Sequence, residues 1–425
     1  MKVINARLRG MDGLYSLNVH QGKFSSIEAQ SGIIPASPES KATQLIDAQQ
    51  NLVCPPFVEP HIHLDAVLTA GEPNWNMSGT LFEGIERWSE RKPLLTPEDI
   101  ERRVLKVLEL LISHGVQYIR THVDVTDPSL TALKTIAQIK RKVAHKIHLQ
   151  IVAFPQEGIL SFPNGKQLMK QAIDEGADVI GGIPHFEFTR EYGVESMHWV
   201  VDLAKQHNLL VDVHCDETDD GSSRFLEVLA TAALETEMKD KVTASHTTAM
   251  HSYNNAYCSK LFRLLKMSGI NFVSCPTESI HLQGRFDTFP KRRGVTRVKE
   301  LTEAGMNVCM AEDSIQDPWY TLGNGKLLRV LDAGLHICHM MGYQQLSTAL
   351  DLITVNGAKT LQVITEYGIE IGKPANFIIL EGSSDLDVIQ KQGEVLWSVR
   401  EGAILIERKP AQLIQRTTFS DVFEP

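Results

Sequence analysis

The chain has 425 residues, 43% hydrophobic and 22% charged, enough to bury a large core and to build one big domain with an accessory piece. Its formal net charge of -10 is thinly spread, and beyond the short "PKRRG" at Pro290 to Gly294 no Lys/Arg-rich tract is seen, which argues against nucleic acid as a partner. The start, "MKVINARLRG", has no apolar leader core, and no apolar run approaches the roughly 18 residues of a membrane helix, so no membrane partner and a cytoplasmic location are expected.

From the N-terminus, "VINARL", "LYSLNVH" and "FSSIEAQ" alternate polar and apolar positions and are punctuated by "GMDG" and "QGK", the pattern of short antiparallel strands. The far end repeats the style in "ANFIILEG" and "GEVLWSVREGAILIE". A small β-sandwich module built from both termini, residues 1–55 plus 370–425, is therefore expected to flank a different middle, residues 56–369.

That middle alternates. Short β-branched or apolar runs that end in polar residues recur at "PPFVEPHIHLD", "VQYIRTHVDV", "IHLQIVAFPQE", "DVIGGIPHFE", "LLVDVHCDE", "KVTASHTTA", "INFVSCPTES" and "NVCMAEDS", the last strand being placed at Met306–Cys309. Amphipathic segments lie between most of them. The clearest is a helix over Pro97–His114, with Thr96 as N-cap, a stripe of Ile100, Val104, Val107, Leu108 and Leu111, and Gly115 as terminator. Eight such units at about thirty-residue spacing predict an α/β fold, a (β/α)8 TIM-type barrel. A doubly wound sheet would want a glycine-rich phosphate loop after its first strand, where this chain has "EPHIHLD".

Barrel active sites sit at the C-terminal ends of the strands. The first strand ends in His61 and His63, two apart and so on one face; the fifth gives His214 and Glu217, the sixth His246 and the eighth Asp313. Three histidines and a carboxylate are a ligand set for zinc or ferrous iron that leaves room for an activated water, with Glu217 placed to shuttle protons. A lone histidine on a strand is more often structural, and His114, His145, His148, His207, His336 and His339 are assigned so; His122, His185, His251 and His281 are given supporting or structural roles. The joint placement of H-x-H, H-x-x-E, His and Asp at four strand ends carries the site. Six scattered cysteines without C-x-x-C spacing fit reduced, mostly buried thiols. The stretch Gly71–Trp88 is long and aromatic enough for a lid, with Leu81 and Phe82 as candidate wall residues.

The longer runs "PPFVEPHIHLD", "GTLFEGIERW", "LQIVAFPQEGIL", "IPHFEFTREYGVES", "ASHTTAMHSYN", "IHLQGRFDT" and "DPWY" resemble bacterial cytosine deaminase of the amidohydrolase superfamily, over nearly the whole chain. The resemblance implies one divalent metal ion, Fe2+ or Zn2+, held by His61, His63, His214 and Asp313, and a small-molecule pyrimidine base as partner. Asp313 would take a proton from the attacking water, His246 would hold and polarise it, and Glu217 would protonate the ring nitrogen beside the attacked carbon. Gln156 would hydrogen-bond the far edge of the pyrimidine, while Phe154 and Trp319 line its pocket. The fourth strand has no lysine to bridge a second metal, so the site should be mononuclear.

This chain reads "AEDS" at Ala311–Ser314 where such deaminases commonly read "GHDD". By strand alternation Glu312 should point away from Asp313, and Asp317 should order the "DPW" turn that presents Trp319. Ser314 replaces a carboxylate near C5 of the pyrimidine, which leaves room for a methyl group and points to 5-methylcytosine beside cytosine as substrate. "CPTES", Cys275–Ser279, departs from the family's Asn-Pro beginning at the same wall. The rival readings are a deaminase of another amino-heterocycle, such as isoguanine or a triazine, and a catalytically inactive binding protein on the same fold. Large barrels with broad helical exteriors often assemble, so a homo-oligomer is expected.

Overall fold

The computed structural model describes residues 1–35 and 44–411; the parts of the expected terminal module at 36–43 and 412–425 lie outside the described residues. The alternating N-terminal runs form β1 (Lys2–Leu8), β2 (Leu14–His20), β3 (Lys23–Gln30), β4 (Leu45–Asp47) and β5 (Leu52–Cys54). The apolar runs of the middle form β6 (Phe57–Ile62), β7 (Val116–Asp124), β8 (His148–Phe154), β9 (Val179–Gly182), β10 (Leu210–Cys215), β11 (Val242–His246), β12 (Asn271–Ser274) and β13 (Val308–Met310). Three more strands close the chain, β14 (Phe377–Leu380), β15 (Val395–Arg400) and β16 (Ala403–Glu407).

The terminal strands join in one mixed sheet ordered β16-β15-β14-β5-β1-β2-β3, with β4 also paired to β1. Val3, Leu17, Phe24, Ile46, Val53, Phe377 and Ile379 bring both ends of the chain into one core. Its opposite face is tied to the barrel through Leu52, Ile378 and Leu380, and through Gln117, whose amide donates to the Val399 carbonyl at 2.9 Å.

The middle is the expected parallel barrel, ordered β6 through β13 in sequence. Ile62 pairs with Asp313 in a parallel bridge, so the first strand meets the segment three residues past the end of the last. Two backbone hydrogen bonds make that seam, Asp313 N–H to His61 O at 3.0 Å and His63 N–H to Asp313 O at 3.2 Å. The expected helix runs Pro97–Ser113; Thr96 accepts from Asp99 N–H, and Gly115 takes φ +84 where the chain turns into β7. The last strand sits two residues later than the sequence suggested. Met306 N–H still bonds Leu301 O, so the exit of the helix Val298–Glu303 consumes the residues expected to open the strand. Among the described residues no helix is long and apolar enough to cross a membrane.

Candidate active site

The mouth of the barrel gathers the strand-end residues. His61 and His63 leave β6, and His63 Nε2 lies 3.1 Å from His214 Nε2 at the end of β10. Asp313 Oδ1 is 3.5 Å from Nε2 of both His61 and His63. Asp313 and His246 have φ of +70 and +65, left-handed conformations that non-glycine residues adopt reluctantly and that cluster at functional sites.

Burial is the largest influence on every group here. It pushes the His63 imidazole down to about 4 and holds His61, His214 and His246 well below the usual histidine range, helped by one another's charge. These rings are neutral at physiological pH, the form that offers a lone pair to a metal. His61 Nε2, His214 Nδ1 and Asp313 Oδ2 are buried with no hydrogen-bond partner. Converging nitrogens that cannot satisfy each other, plus an unpaired carboxylate oxygen, fit a divalent cation.

The orientation of His61 is built from below. Its Nδ1 is 2.9 Å from Ser245 Oγ, which donates to Asp212 Oδ1 at 2.6 Å, and Arg120 donates to Asp212 Oδ2 at 2.9 Å. The His122 ring stacks on His61 at 3.8 Å, in the supporting position expected for it.

Glu217 and His246 stand beside this cluster, with His246 Nδ1 3.8 Å from Glu217 Oε1 and 3.7 Å from Asp313 Oδ2. Burial, then the charge of Asp313, raises the Glu217 carboxyl well above its ordinary range, as a proton donor requires. Gln156, Leu81, Ser314 and Trp319 line the cavity together with His63, His214, Glu217, His246 and Asp313. Phe154 stands apart from that wall. Fully buried at the end of β8, it stacks on the His214 ring at 4.0 Å and so packs against a candidate ligand. Phe82 is 54% exposed and packs on Phe186, outside the cavity lined by its neighbour Leu81.

The acids of "AEDS" separate as alternation requires. Glu312 turns away and accepts from Asn324 N–H at 3.0 Å. Asp317 Oδ1 accepts from the N–H groups of Trp319 and Tyr320, both at 3.0 Å, which fixes the turn that carries the indole. Ser314 presents a short, neutral side chain in the cavity wall.

Glu278 is the wall residue that strand-end reasoning missed. It lies in the first turn of the short helix Pro276–Leu282 and lines the cavity beside Asp313; burial followed by the charges of Asp313 and Glu217 raises its carboxyl well above the ordinary range. Its only signal was the acidic residue in "CPTES". Ser245 and Asp212 were missed as well, and polar residues inside otherwise apolar strand runs were the clue to them.

Comparison with known proteins follows this geometry. The chain is similar to 5-methylcytosine deaminase from Klebsiella pneumoniae, solved with 5-fluorocytosine bound, at 59% identity and a TM-score of 0.96, covering 98% of this chain and 99% of that one. The phosphonocytosine complex of the same protein matches at 59% identity and a TM-score of 0.95, covering 98% of this chain and 100% of that one. N-isopropylammelide isopropyl amidohydrolase from Pseudomonas sp. strain ADP is 30% identical over 409 residues, 95% of this chain and 96% of that protein. The model of the amidohydrolase family, whose members are metal-dependent hydrolases, matches residues 44–405, the whole barrel and part of the terminal sheet: the chain belongs to the amidohydrolase family.

Proposed function

We propose that the protein is a metal-dependent hydrolytic deaminase of a free pyrimidine base, converting cytosine and 5-methylcytosine to uracil and thymine with release of ammonia. The observation that carries this reading is the neutral Ser314 in the cavity wall beside the His/Asp cluster. The likeness to a 5-methylcytosine deaminase crystallised with cytosine analogues supports it.

His61, His63, His214 and Asp313 would hold one divalent ion, Fe2+ or Zn2+. Such an ion supplies Lewis acidity and makes a water nucleophilic near neutral pH. The chain's own groups do the rest. Asp313 Oδ2 takes the water's proton, and His246, 3.7 Å from it, steadies the attacking oxygen. The protonated Glu217 gives its proton to N3 as charge builds there on attack at C4. Gln156 binds the opposite edge of the ring, between Leu81 and Trp319.

A carboxylate at position 314 would crowd C5 and solvate a methyl group poorly; the hydroxyl that stands there is short and uncharged. Accommodating one methyl is worth roughly 1 to 3 kcal/mol, a preference of about 10- to 200-fold. Steady-state kinetics of the metal-loaded enzyme on both bases is the test. Turnover of 5-methylcytosine is expected, and Ser314→Asp is expected to reduce it selectively. Turnover of cytosine alone would overturn the Ser314 argument.

A further inference from the structure

β12 ends at Ser274, and the helix Pro276–Leu282 carries Glu278 into the cavity wall with only 3% of its surface exposed. Neither the ligand set nor the proton shuttle described above uses this carboxyl. Its neighbours are nevertheless those of the reacting centre. It lines the cavity together with Asp313, and one of its oxygens lies within 4.8 Å of ligand atoms of Glu217 and His246. Its Oε2 is buried and has no partner in the protein, an unmatched acceptor on a residue of the cavity wall.

What meets that oxygen follows from the deaminase reading, on which this inference rests. At the attacked carbon the ring nitrogen is taken by Glu217, and the exocyclic amine must lie within reach of Asp313, which carries the proton that the departing nitrogen needs. Glu278, in the same wall as Asp313 and within 4.8 Å of Glu217 and His246, is therefore beside the amine. We propose that Glu278 is a further catalytic residue whose free carboxyl oxygen accepts a hydrogen bond from the exocyclic amine and turns that nitrogen's lone pair toward the proton on Asp313.

In the collapse step the nitrogen takes the proton from Asp313, and the C4–N bond breaks with its electron pair leaving on ammonia. The hydroxyl on C4 becomes a carbonyl as its proton returns to Glu217, which had protonated N3. Glu278 neither gains nor loses a proton; it orients.

A structural prop for Asp313 would serve every substrate alike, whereas an amine acceptor serves only substrates with an amine. The test compares metal-loaded wild type, Glu278→Gln and Glu278→Met on cytosine and on 4-chloropyrimidin-2-one, whose chloride leaves without a proton. Glu278→Met is expected to lower kcat on cytosine about 10- to 100-fold with KM changed less than about threefold, as for loss of one strong hydrogen bond. It should leave turnover of the chloro compound within about threefold. Glu278→Gln keeps a carbonyl acceptor and should restore most of the cytosine rate. Unchanged cytosine turnover in Glu278→Met, an equal loss on both substrates, or loss of bound metal would overturn the assignment while the deaminase reading stands. No ammonia from either natural base with the wild type would overturn both.

Discussion

At the floor of the barrel, Arg120 donates to Asp212 at 2.9 Å, to Gln150 at 3.0 and 3.1 Å, and to the Thr360 carbonyl at 2.9 Å, while Ser245 satisfies the other oxygen of Asp212. At the mouth, a few ångströms up the same strands, ring nitrogens of His61, His214 and His246, both nitrogens of His185, and carboxylate oxygens of Asp313 and Glu278 have no partner. Both layers are buried and polar. The floor spends its polarity on itself and acts as a scaffold; the mouth leaves atoms unmatched around the candidate metal ligands and the cavity. Ser245 joins the two layers, with one contact down to Asp212 and one up to His61.

Four experiments separate the layers. The largest effect is expected at the mouth. Glu217→Gln removes the proton donor and should lower kcat by about 10²- to 10⁴-fold, with the melting transition and metal content near those of wild type. A comparable fall in stability would mean that the mouth is scaffold too.

Next comes the floor. Arg120→Leu strands the Asp212 carboxylate without its charge partner, and the cost should be on the order of 3–5 kcal/mol in denaturant unfolding. Survival of the fold with little loss would show that the floor network is dispensable.

The third effect depends on pH. Burial lowers the His185 imidazole from 6.5 to about 4, so the folded state resists a proton that the unfolded chain accepts readily. Its contribution to stability is complete above pH 6.5 and is lost as the pH falls through that window toward 4, by up to about 3 kcal/mol. Unfolding of wild type and of His185→Gln between pH 7 and 4 checks this: the variant should lose the part of the acid slope due to His185.

The smallest effect is expected at the joint. Ser245→Ala frees Nδ1 of His61 and should weaken metal binding by about 10- to 100-fold without unfolding the barrel, measured by competition with a chelator. An unchanged affinity would disconnect floor from mouth.

The barrel and four strand ends of its mouth were legible in the sequence because parallel strands buried on both faces read as apolar runs, and ionisable residues at their ends stand out against them. His61, His63, His214, Glu217, His246 and Asp313 all fall where those runs stop, and the structure brings them into one cluster. Glu278 was hidden because an acid in the first turn of a helix is ordinary, its charge favoured by the helix dipole wherever it points. Phe154 could be placed at a strand end, but not above or beneath a ring that comes from two strands away. The floor escaped notice because Arg120, Asp212 and Ser245 pair across three different strands, and single-chain periodicity carries no information about such partners.

The seam between Ile62 and Asp313 joins positions about 250 residues apart, and it is also where the candidate metal ligands meet. No partial chain can assemble that set, because two of its members come from the opening strand and one from the segment after the closing strand. A cation bound there acts as a clasp on the ring, tightening the joint between its first and last strands. Metal occupancy thus doubles as a certificate of topology: a molecule that holds its ion has its whole barrel in register.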